Sequence, residues 1–88
     1  MDQYKTLQTL QAMHHVGLTP VQAFHTVATI MLGTESGRSR EGALYNLQSD
    51  LVYCVEQAHN GLNGEIAGFI AEVLLLAYKT DIDALLDD

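Results

Sequence analysis

Apolar positions along the chain fall into four runs with helical spacing. Between residues 3 and 16, Tyr4, Leu7, Leu10, Met13 and His14 recur at intervals of three and four, with Gln3, Thr6, Gln8 and Gln11 between them. That is the pattern of a helix with one dry stripe. Gly17 ends it. Thr19-Pro20-Val21-Gln22 then opens a second helix. Thr19 is placed to cap it, Pro20 takes the first helical position where its missing N–H costs nothing, and Gln22 completes a capping box.

The second helix is predicted over 20 to 32, with Val21, Phe24, Val27, Ala28 and Met31 on one face and Ala23, Ile30 and Leu32 broadening it. It carries no formal charge. Gly33 is a natural C-cap, and Gly33 to Ser39 is the expected loop. From 40 to 59, Leu44, Leu47, Leu51, either Cys54 or Val55, and Ala58 form a heptad-like seam opposite Gln48, Asp50, Glu56 and Gln57.

Asn60-Gly61 closes that helix and Asn63 can cap the next, over 64 to 79. A connection so short predicts that the third and fourth helices are antiparallel neighbours. Within the fourth, Ile66 to Tyr78 holds one charge, Glu72, and offers apolar side chains on every side, so it must be covered all round. Thr80-Asp81 starts a short helical turn expected at 81 to 86. The expected architecture is all-α, a single domain over 1–88 built as a compact bundle of four helices plus that turn.

Length sharpens this picture. A chain of 88 residues hides only about 60 to 65% of its unfolded surface. Two helices apolar over most of their circumference therefore call for a second copy, and the bundle is expected to be completed by homodimerisation. The residues assigned to a dimer or protein-binding interface are Phe24, Val27, Met31, Phe69, Val73, Leu74, Leu75 and Tyr78.

Charge narrows the choice of partner. Four Lys and Arg against eleven Asp and Glu give a net charge of -7, which repels a phosphate backbone and argues against direct nucleic-acid binding. The second helix also lacks the basic and polar side chains of a recognition helix. Asp81 and Asp83, with Leu85 and Leu86 beside them, form an acidic tail able to contact a basic groove.

The weakly charged segments at 18–34 and 66–78 fall short of, or are too polar for, the roughly 20 apolar residues of a membrane span. The N-terminus has no apolar core behind basic residues, so no secretory signal is read and a cytoplasmic location is expected. One cysteine, Cys54, fits a reducing compartment.

Candidate chemistry is sparse. His14 and His15, adjacent on a helix, point about 100° apart and are poor co-ligands. No paired cysteine, HExxH, phosphate loop or nucleophile elbow is present, so neither metal, cofactor nor catalytic residue is assigned. A pocket lined by polar groups would have to draw on Tyr45, Tyr53, His25 and Glu72, whose spacing does not require one. The expected function is a small non-enzymatic regulatory protein that binds and modulates or inhibits another protein through an apolar helical surface bordered by acids. The alternative is an acidic decoy that occupies the nucleic-acid-binding surface of a basic partner protein.

Overall fold

A computed structural model describes residues 3–32, 37–61 and 64–79, with 32 and 37–40 described by their backbone alone. Four α-helices make up the described chain: α1 (Gln3–His15), α2 (Pro20–Leu32), α3 (Gly37–Gly61) and α4 (Gly64–Lys79). The all-α bundle expected from the periodicity is therefore observed. The turn expected at 81 to 86, the capping roles of Gly33 and Asn63, and the tail residues Asp81, Asp83, Leu85 and Leu86 lie outside the described residues.

The corner between α1 and α2 is built from local chemistry alone. Gly17 adopts φ +88°, and its N–H donates to the His14 carbonyl at 3.1 Å while the Leu18 N–H donates to the Met13 carbonyl at 3.0 Å. These two bonds are a Schellman motif and satisfy carbonyls that the end of α1 would otherwise leave open. Two residues later the predicted capping box is present in both directions. The Gln22 N–H donates to Thr19 Oγ1 at 3.2 Å, and the Thr19 N–H donates to Gln22 Oε1 at 3.0 Å.

Gly17→Ala is expected to cost about 1 to 2 kcal/mol, because a Cβ disfavours the left-handed region. Gly42, inside α3 with open space around its missing Cβ, should behave oppositely. Gly42→Ala should stabilise by about 0.5 to 1 kcal/mol through lowered chain entropy. Urea denaturation of the two variants checks the contrast in sign.

α3 and α4 share the most extensive interface. Gln48 of α3 reaches across it, its Nε2 donating to the Ala77 carbonyl at 3.0 Å. That oxygen is among the last four of α4, which lack intrahelical donors. Gln48 meeting Ala77, with the two helices joined across 62 and 63, makes α3 and α4 an antiparallel pair as predicted. α1 lies mainly on α3, α2 lies on α4 and α3, and α1 and α2 touch one another least.

The core draws on all four helices: Leu10 and Met13, Ala23, Phe24, Val27 and Ala28, then Leu44, Leu47, Leu51, Cys54 and Ala58, then Ala67, Phe69, Ile70, Val73 and Ala77. The α3 seam is thus the one predicted, with Cys54 rather than Val55 at its ambiguous position. Glu65 in the first turn of α4 and Lys79 in its last complement the helix dipole. The radius of gyration is 12.3 Å, close to the roughly 12 Å of a compact domain of this length.

Three expectations are corrected. α3 starts at Gly37, so 37–39 is helix and not loop; its first turn has no apolar residue, and a reading led by apolar spacing starts too late. It also runs on to Gly61. On α1 the dry stripe is turned toward Thr6, which is fully buried, while Tyr4 is exposed. The N-terminus of α1 sits against α3 at Tyr53 and Cys54, and that contact sets the rotation.

Candidate interaction surface

Four of the eight assigned interface residues are occupied within the chain. Phe24, Val27, Phe69 and Val73 are all buried in its own core, while Met31 and Leu74 are half-buried against it. Of the eight, Leu75 and Tyr78 stay exposed, at 53% and 59%, with the edges of Met31 and Leu74 beside the core.

At 100° per residue the outward arc of α4 has a simple composition. Tyr78 and Ala71 form one edge, Leu75 and Gly68 the middle, and Lys79, Glu72 and Glu65 the other edge; all are exposed. The opposite arc carries Phe69, Ile70, Val73 and Ala77 and is buried. Glu72, the single charge of the Ile66 to Tyr78 run, reaches solvent. Ala71 and Gly68, small enough to let another helix approach closely, complete this arc. The signal for it was available, since Glu72 and Lys79 are seven residues apart, lie on one face, and bracket Leu75.

α2 divides as cleanly, but its outward face is different. Val21 and Ile30 stand at its two edges, and Gln22, His25, Thr26 and Thr29 fill the middle. Thr26 also turns its hydroxyl inward along the helix, donating to the Gln22 carbonyl at 2.9 Å. This face is polar and uncharged, whereas α4 presents the more apolar one.

The other candidates for chemistry are dispersed. His14 is half-buried, its ring edge-on to Phe69 with centroids 5.1 Å apart; His15, His25 and His59 are exposed. Among the described residues no three His, Cys, Asp or Glu side chains gather where they could hold one metal ion. Tyr45, His25 and Glu72 are exposed on three different helices, so they do not line a common pocket with Tyr53. Tyr53 pairs edge-on with Tyr4, centroids 5.8 Å apart. Hydrogen bonding with the Tyr4 hydroxyl, then burial, holds its phenol above the ordinary value.

Cys54 is fully buried, with Sγ 3.8 Å from the Gln3 carbonyl oxygen. Burial, and secondarily the nearby Asp50 carboxylate, pushes its thiol up to about 12, so it packs as a small hydrophobe. No described helix is long and apolar enough to cross a membrane. Comparison with known protein families, curated proteins and solved structures finds no match.

Proposed function

We propose that this chain is a small non-enzymatic regulatory protein that binds another protein through the outward face of α4 and so modulates or inhibits it. One observation carries the reading: Leu75 stands half exposed at the centre of an arc whose neighbours Gly68 and Ala71 are too small to screen it. Tyr78 extends the apolar strip, and Glu65 and Glu72 border it. A smooth apolar strip on a rigid helix is the geometry of helix-in-groove recognition, and central aromatic and aliphatic side chains within a polar rim are the usual anchors of such contacts. In the absence of a foreign partner, we propose that the chain is a homodimer.

The test is affinity capture from the native cell lysate with the wild-type chain and with Leu75→Lys. Helicity should be unchanged in the variant, because Leu75 lies outside the core. A protein retained by the wild type and lost from the variant, with binding that survives moderate salt, is the expected result. Binding that ignores Leu75→Lys and falls steeply with salt would instead mark the acidic-decoy alternative.

A further inference from the structure

The outward arc of α4 is complementary to itself when reversed. Relative to Leu75, Ala71 and Tyr78 lie about 40 to 60° to one side, and Lys79 and Glu72 lie about 40 to 60° to the other. Each of these pairs is seven residues apart, about 10.5 Å along the axis. The midpoint of each falls within one residue of Leu75. Within the described residues no ion pair engages Glu72 or Lys79, and both are exposed.

From this pattern we infer that the occupant of the α4 face in the free protein is a second copy of the same chain, its α4 antiparallel to the first, with a two-fold axis passing at Leu75. The inference rests on the reading of that face as a docking surface and names what covers it. A two-fold axis lying between the helices brings like edges together in opposite directions. On one edge, Tyr78 lies over the partner's Ala71, a large ring against a methyl group, and the reciprocal contact repeats it. On the other edge, Lys79 meets the partner's Glu72, again twice. Leu75 packs against the partner's Leu75 on the axis itself.

A parallel pair, related by a two-fold axis along the helices, would bring unlike edges together and set Glu72 and Lys79 opposite the partner's Ala71 and the partner's Tyr78, leaving all four charges without a partner. The charges therefore select the antiparallel arrangement as well as permitting it. A contact built on one helix per copy is small by the standard of obligate dimers, so association is expected at micromolar rather than nanomolar concentration.

Sedimentation equilibrium of the full chain at about 100 µM, a concentration well above a micromolar dissociation constant, tests this together with a charge swap. Wild type should be dimeric. Glu72→Lys places two lysines together on that edge and should raise the dissociation constant about tenfold. The same change lowers the net charge from -7 to -5, which alone would favour association, so a weaker dimer reports the specific contact. Adding Lys79→Glu restores opposite charges and should return the constant to within about threefold of wild type, as expected where only the pairing has been exchanged.

A wild-type chain that is monomeric at this concentration overturns the inference. So does a dimer indifferent to Glu72→Lys or not rescued by the swap. If the wild type is monomeric while Leu75-dependent capture of a foreign protein persists, self-pairing is wrong and the docking face stands. A dimer rescued by the swap supports the inference even where no foreign protein is captured.

Discussion

Truncating Leu51 or Ile70 to alanine is expected to destabilise the protein by about 2 to 5 kcal/mol, the range for buried aliphatic side chains whose cavity does not collapse. Both are fully buried, Leu51 on the α3 seam and Ile70 on the inward arc of α4, and these helices share the main interface of the bundle. An 88-residue domain has a total stability on the order of 4 to 13 kcal/mol, so either change removes a large fraction. The melting temperature should fall by about 8 to 40 °C, since each kcal/mol moves a domain of this size about 4 to 8 °C. Tyr45→Ala, on the exposed side of α3, should change stability by no more than about 0.5 kcal/mol. Thermal denaturation followed by circular dichroism separates the three variants.

Cys54 supplies the second large effect. Its thiol is sequestered in the core and pushed up to about 12, and only the thiolate reacts. Labelling by a thiol-directed reagent at pH 8 must therefore wait for the bundle to open. The native chain should label at least about 10³-fold more slowly than the urea-unfolded chain, reflecting the free energy of opening. Equal rates in the two states would show that Cys54 is not in the core.

The same burial has a signed consequence for pH. A folded-state pKa raised above the ordinary thiol value of 9.0 means that the folded chain holds the proton more tightly than the unfolded chain. The contribution is fully present below pH 9 and is lost as pH rises from about 9 toward about 12. Comparing melting temperatures at pH 8 and pH 10.5 for wild type and Cys54→Ala isolates it from tyrosine and lysine titration. The wild type should lose more between the two pH values than the variant does.

What could be foreseen follows from how far along the chain each cause reaches. The capping box of Thr19 and Gln22 was legible because everything it needs lies within four residues. The antiparallel α3–α4 pair was legible for a similar reason, since a connection of a few residues leaves little other choice. The choice of Cys54 over Val55 was not, because alternating threes and fours admit either. Cys54 takes the inner position, with its thiol against the Gln3 carbonyl 51 residues away along the chain.

The rotation of α1 that buries Thr6 rests on the same distant contact. For Phe24, Val27, Phe69 and Val73, the spacing demanded a cover but could not say whose. The bundle itself provides it, which leaves a much narrower free face than the composition suggested. Leu75 sits in an unbroken run from Val73 to Leu76, where apolarity alone cannot single out the exposed member. The two flanking charges can.

The corner between α1 and α2 also bears on the order in which the molecule assembles. Its turn-forming hydrogen bonds join residues no more than five positions apart, from Leu18 back to Met13 and across Thr19 to Ala23, so little loop-closure entropy stands against forming it early. α1 and α2 make few contacts with each other and most of theirs with the α3–α4 hairpin. The α1–α2 corner, set by a glycine and a threonine, and the α3–α4 pair, joined across 62 and 63, are therefore the two units expected to form first. The slow event is their docking face to face, and a helical domain so dominated by local contacts should complete it in microseconds to milliseconds.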